Sequence, residues 1–304
     1  MENALQYTKR LLREGARVHH SLGQNFLIDD SVIQGIVENS CPEAGVPLLE
    51  IGPGLGVLTR ILAQKTAEMW AVEVDRQKVT LLRQELRGLP VEILQGDALK
   101  LDLAGLWPGR KGYVIGNLPY YITSPLLNHF LAQASLLTGM TVMVQKEVAD
   151  RLLASPGGKA YGVLSIAVRL AAEAEPLMEV PAAAFWPPPK VRSAVVRLIP
   201  RPYPGFRAER ADFFRVVKAA FGQRRKNVAN SLAAGLGLAK EEAVGILKAA
   251  GIDSRCRAET LGIEEFQTLT DLVQQRGEAF PREVTGVTSA TTCTGFREEG
   301  KDET

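Results

Sequence analysis

Cysteine and histidine are scarce in this chain of 304 residues, with three of each. Cys41, Cys256 and Cys293 are too scattered for a disulfide framework or for paired metal-ligand spacing, and they read as core filler or inert surface thiols. None follows a proline in the order of a cytosine-C5 methylating nucleophile. His19 and His20 adjoin in an N-terminal basic segment while His129 stands far from both, so no metal is expected. No uninterrupted apolar run is long enough to cross a bilayer, and the N-terminus lacks the hydrophobic stretch of a secretory signal. The expected address is the cytoplasm, with no membrane partner.

What the chain does have is apolar content of 46%, enough for one large core and a smaller second domain. Strand candidates are 47–52, 68–75, 91–95, 113–117, 140–145, 168–171 and 193–199, with helical patterns between them, which suits a doubly wound α/β sheet. The run Leu49-Glu50-Ile51-Gly52-Pro53-Gly54-Leu55-Gly56 reads as strand, tight turn and then helix, the place where such a sheet binds a nucleotide. Its glycines alternate, unlike a dinucleotide fingerprint, and no basic residue is present to meet a pyrophosphate. A ligand with a methionine tail fits better than one with phosphates. Glu73 ends the next apolar run, roughly 20 residues past the first glycine, where an acid can bind both ribose hydroxyls. Asp75 is instead read as the N-cap of the helix that follows. Asp97, after the run Val91 to Gln95, is placed to accept from an adenine amine, or else is a solvated turn residue.

The segment Gly116-Asn117-Leu118-Pro119-Tyr120 carries the chemistry. The exocyclic nitrogen of adenine is a poor nucleophile because its lone pair is delocalised into the ring. The Asn117 side-chain oxygen and the Leu118 main-chain carbonyl are placed to accept its two hydrogens and localise that pair. Pro119 stiffens the turn and Tyr120 offers a flat face to the base. Three consecutive strand ends therefore supply a glycine turn, a ribose acid and an adenine acceptor, and the fourth supplies an amine clamp.

In these motifs the chain resembles the ribosomal RNA adenine N6-dimethyltransferase family, in its bacterial small-subunit (16S) branch. The likeness extends to Leu22-Gly23-Gln24-Asn25-Phe26-Leu27, to Val144 through Arg151, to Tyr161-Gly162-Val163-Leu164-Ser165 and to Phe185 through Val195, and it spans about residues 17–276. The resemblance implies S-adenosylmethionine as donor and two adjacent adenosines near the 3′ end of small-subunit rRNA as acceptors, within a partly assembled subunit. It places cofactor contacts on Asn25, Leu27, Gly52, Glu73, Asp97 and Asn117. It also implies that Phe185 stacks on the acceptor base opposite Tyr120 and that the last strand is antiparallel. The plainer reading makes Phe185 and Trp186 core aromatics, and it is kept for Trp186; a monomer is expected.

The net charge of +2 hides an asymmetry: from Ala182 to Asn230 there are eleven Lys or Arg against Glu209 and Asp212. Arg224, Arg225 and Lys226, with Lys190 and Arg192, are the candidate RNA contacts. Lys9, Arg10, Arg13 and Arg17 form either a second basic contact or a frayed helix. The expected organisation is an N-terminal basic arm (1–21), a methyltransferase domain (22–200), a proline-rich hinge at 200–205, a helical RNA-binding domain (206–276) and a disordered polar tail (277–304). Three alternatives stand beside this reading. A large-subunit rRNA methyltransferase shares the Asn-Leu-Pro-Tyr device but matches the Tyr161 and Phe185 segments less well. An RNA-binding factor on a methyltransferase scaffold would show a damaged cofactor site. A dehydrogenase is disfavoured by the alternating glycines and by Asn117.

Overall fold

Seven strands form one mixed sheet whose pleat sorts the apolar side chains onto two faces. The computed structural model describes residues 2–16, 25–40 and 43–275. Cys41, Cys293, His19, His20, Arg17 and the expected tail lie outside them. The strands are β1 (Phe26–Leu27), β2 (Leu48–Ile51), β3 (Met69–Glu73), β4 (Val91–Gln95), β5 (Gly112–Asn117), β6 (Leu137–Gln145), β7 (Ala172–Val180), β8 (Phe185–Trp186) and β9 (Ser193–Pro200). The large sheet has the order β4-β3-β2-β5-β6-β9-β7, and β1 and β8 make a separate two-stranded ribbon. Strands β2 to β6 run parallel. Strand β9 is antiparallel to both of its neighbours, the expected orientation of the last strand. Because chain order reverses direction between β2 and β5, the crevice beyond their C-terminal ends is where a doubly wound sheet places its ligand.

Alternation along the strands builds two cores. Leu49, Val114 and Val142 join one, covered by helices Thr123–Ala132 and Lys146–Leu153. Leu48, Ile115 and Met143 join the other, covered by helices Ala4–Arg13 and Asp30–Ser40. The first helix is therefore neither a frayed end nor chiefly a basic arm. Ala4, Tyr7 and Leu11 are buried, the Tyr7 hydroxyl donates to the Leu55 carbonyl at 3.1 Å, and Arg10 is paired with Glu85 at 2.7 Å. Lys9 and Arg13 remain exposed. A helix whose apolar stripe closes over the glycine turn is fixed by burial, which a short basic segment does not announce.

One strand expectation fails. Residues 168–171 end the helix Val163–Ala171, and the strand begins only at Ala172. This helix is buried on opposite sides: Val168 and Ala171 enter the first core, whereas Ile166 and Leu170 enter the core of the C-terminal helices. Val168 to Ala171 are three apolar residues and one arginine, and a piece that short does not separate a helix end from a strand.

Helices Arg210–Phe221, Val228–Leu236, Lys240–Ala249 and Ile263–Gln275 pack around Phe213, Phe266 and Leu247. Tyr161, Ile166 and Leu170 contribute to the same cluster, so the helical part shares its core with the sheet-bearing part. The proline-rich segment expected as a hinge is tied down as well. Arg201 N–H donates to the Ala171 carbonyl at 2.8 Å and Tyr203 N–H to that of Leu170 at 3.0 Å.

Candidate active site

A cavity of about 340 Å³ opens at the C-terminal ends of β2, β3, β4 and β5. Its walls bring together Asn25, Leu27, Gly52, Glu73, Asp97 and Asn117, and Leu118 and Tyr120 line the same space. Gly52 and Gly54 adopt φ of +65° and +61°, a region that side chains disfavour, and this lets the turn fold back across the strand end. Glu73 sits at the tip of β3 with both carboxylate oxygens engaged. Gly54 N–H donates to Oε2 at 3.3 Å and Asp75 N–H to Oε1 at 3.0 Å. Those donors hold the carboxylate rigid while acceptor capacity remains for a diol. Asp75 has the capping role expected of it, accepting from the N–H groups of Gln77 and Lys78. Asp97 accepts from Leu99 N–H at 3.0 Å and starts a single turn of 3₁₀ helix, yet it is exposed at the cavity wall.

At the end of β5 the Asn117 amide nitrogen donates to the Asn25 carbonyl at 3.3 Å. That bond directs the side-chain oxygen away from Asn25, as an amine acceptor requires. Leu118 N–H donates to the Met143 carbonyl, and Thr123 Oγ1 donates to the Pro119 carbonyl at 2.9 Å, so the turn is braced on both sides. The Tyr120 hydroxyl is 2.8 Å from Ser193 Oγ. Burial holds its phenol above the ordinary value, with the Ser193 contact opposing. The ring is therefore neutral at physiological pH and offers a face, not a charge.

Three acids, Glu50, Glu73 and Asp97, line this cavity, and among the described residues no lysine, arginine or histidine does. Phosphates are disfavoured there, while a sulfonium and an ammonium are favoured by simple attraction. Glu50 escaped attention in the sequence. It is 2% exposed, and Oε2 has no hydrogen-bond partner among the described residues. Burial pushes its carboxyl up to about 8; the nearby Thr59 hydroxyl opposes the shift and the charge of Glu73 adds to it. The available signal was an acid set inside a fully apolar strand. Val74 and Tyr121 were also missed, and both are exposed at the cavity.

Phe185 needs correction. Its ring is 1% exposed and packs in the second core with Leu27, Met143 and Val195; it is absent from the cavity lining. In this arrangement it supports the wall and offers no face to a base. Trp186, expected in the core, is the exposed member of the pair. Phe185 and Trp186 are neighbours on β8 and so point to opposite sides, which turns the first inward and leaves the second outward. Among the basic candidates, Lys190, Arg192, Arg225 and Lys226 are exposed, whereas Arg224 is partly spoken for. It donates to the Lys159 carbonyl and lies 4.0 Å from Glu259.

A doubly wound sheet with an Asn-Leu-Pro-Tyr turn at the end of β5 and an acidic cavity beside it has the architecture of a Rossmann-like methyltransferase. Residues 15–275 match the family model described as ribosomal RNA adenine dimethylase, and the chain belongs to that family. A protein of Desulfitobacterium hafniense named ribosomal RNA small subunit methyltransferase A is 62% identical over 275 residues, covering 90% of this chain and 99% of that protein. One of the same name from Alkaliphilus oremlandii is 44% identical, covering 83% and 90%. Among solved structures, a dimethyladenosine transferase from Plasmodium falciparum superposes with a TM-score of 0.68 at 23% identity, covering 83% of this chain and 98% of that one, a likeness of fold. The 23S rRNA methyltransferase ErmE gives a TM-score of 0.60 at 26% identity, covering 83% and 100%.

Proposed function

We propose that this chain transfers methyl groups from S-adenosylmethionine to N6 of two adjacent adenosines near the 3′ end of 16S rRNA. The product is N6,N6-dimethyladenosine, made in the cytoplasm during maturation of the small subunit, by a monomer acting on a partly assembled subunit. The observation that carries this reading is the Asn117 turn in the wall of a cavity that Glu73 and Asp97 also line, with the Asn117 amide nitrogen donating to the Asn25 carbonyl. The donor, when bound, supplies an electrophilic sulfonium methyl. Glu73 binds the ribose, and Asp97 accepts from the adenine amine of the donor. Asn117 and the Leu118 carbonyl accept the hydrogens of the target amine and aim its lone pair, and Tyr120 supports the base. No strong general base is needed, because the amine acidifies as it gains its methyl and the proton passes to water. The rate advantage rests on orientation and preorganised acceptors.

The test is methylation with radiolabelled donor on small subunits that lack the modification, followed by nucleoside mapping, with large subunits and protein-free rRNA in parallel. Label in dimethyladenosine from the 3′ region of 16S rRNA is expected. Label confined to large subunits would replace this reading with the other rRNA substrate.

A further inference from the structure

Five large apolar side chains are strongly exposed among the described residues: Val74, Tyr121, Trp186, Val191 and Ile199. Val74 and Tyr121 belong to the cavity. Trp186 ends β8 and Val191 lies on the segment from there to β9, which passes beside Tyr120 because Ser193 meets the Tyr120 hydroxyl. The same segment is pinned at its far end by Lys146 N–H donating to the Arg192 carbonyl at 3.0 Å.

Trp186 is 45% exposed, on the side of β8 opposite the buried Phe185. Its cross-strand partner Phe26 forms part of the cavity wall, so the indole stands one strand away from the cavity. Lys190 and Arg192 are exposed on the same stretch, and Arg192 is only loosely held by Glu179, at 3.5 Å between side chains that are 73% and 56% exposed. Three consecutive prolines, Pro187 to Pro189, stiffen the path between the indole and Lys190. Four residues span at most about 14 Å. Open aromatic faces interleaved with cations are what a single-stranded nucleic acid uses, stacking for its bases and charge for its phosphates.

We infer that Trp186, with Tyr121 across the mouth, forms a stacking rim for the unpaired ribonucleotides flanking the target adenosine, and that Lys190 and Arg192 hold their phosphates. The inference rests on the proposed function and adds a substrate-positioning surface to it. The occupant is single-stranded RNA, because the apolar faces are isolated among charges and do not form the contiguous patch that a protein partner would need.

The full chain is titrated with a single-stranded oligoribonucleotide containing two adjacent adenosines, and acrylamide quenching of tryptophan emission is followed. Of the three tryptophans, Trp107 is fully buried and Trp70 donates to Glu92, so Trp186 is the one most open to quencher. RNA is expected to shield it. Trp186→Ala is expected to lose about 10-fold in RNA affinity, the scale of one base–aromatic stack, and Trp186→Phe to recover most of that loss. Donor affinity by calorimetry should be unchanged in both, which also checks that they fold. The rim is overturned if RNA leaves Trp186 open to acrylamide, or if Trp186→Ala binds RNA like the parent. A parent that methylates small subunits while Trp186→Ala does so with the same KM for subunits removes the rim and keeps the function. A parent whose Trp186 is shielded by RNA but that methylates no rRNA does the reverse.

Discussion

The Asn117 side-chain amide reaches the Asn25 main-chain carbonyl at 3.3 Å, joining the tip of β5 to a residue 92 positions earlier. One hydrogen of the amide nitrogen is thereby engaged, and in the proposed function the side-chain oxygen accepts from the target amine. Asn117→Ala removes that acceptor and is expected to lower turnover by roughly 10² to 10³ fold, the scale of losing one preorganised hydrogen-bond partner in a transition state. Near-parental turnover at saturating donor would sink the amine clamp.

Glu73 is held by two backbone N–H groups, and the proposed function gives it the ribose of the donor. Glu73→Ala should weaken S-adenosylmethionine and its demethylated product alike, because the ribose is common to both. Calorimetry with each ligand is the check, and a loss confined to the donor would mean that the residue acts on the methyl end.

Glu50 makes a prediction about pH. Its carboxyl rises from an ordinary 4.5 to about 8 on folding, so the folded state holds a proton that the unfolded state has already lost. The stability tied to that proton is present below about pH 4.5 and declines as pH rises through the window up to about 8. Glu50→Gln should flatten the decline in Tm across that window. A cationic donor bound nearby favours the charged carboxylate, so binding near pH 7 should release up to one proton. Calorimetry in buffers of different ionisation enthalpy measures it, and an absence of proton release would place the donor's charges away from Glu50.

The basic turn after Phe221 divides in two. Replacing Arg225 and Lys226 with Ala should flatten the slope of log affinity against log salt by roughly 1.4 for single-stranded RNA, at about 0.7 per phosphate. Arg224→Ala should contribute less, because its guanidinium is engaged with Lys159 and Glu259. An unchanged slope in the double variant returns the turn to a solvated surface.

Leu11 is fully buried where the first helix meets the second core. Leu11→Ala should cost about 2 to 5 kcal/mol of stability by emptying that position. A Tm close to that of the parent would show that the helix does not depend on this contact.

Much of the site was legible in the chain because each functional residue sits at the end of an apolar run, and in a parallel sheet those ends converge. The alternating glycines, Glu73, Asp97 and the Asn117 turn could therefore be read as neighbours before any contact was known, and they line one cavity. The capping role of Asp75 was local and equally plain. What sequence could not decide was which way a side chain points when two elements compete for it. The Phe185 and Trp186 exchange follows from a two-residue ribbon too short to have a pattern. Residues 168–171 looked like a strand because four mostly apolar residues carry too little period to tell strand from helix. The basic first helix became a structural prop because Tyr7 and Leu11 found the glycine turn and the second core. Composition and spacing determine chemistry wherever it is carried by the backbone at strand ends. Burial, which depends on partners far away in the chain, is decided only when the tertiary structure brings those partners together.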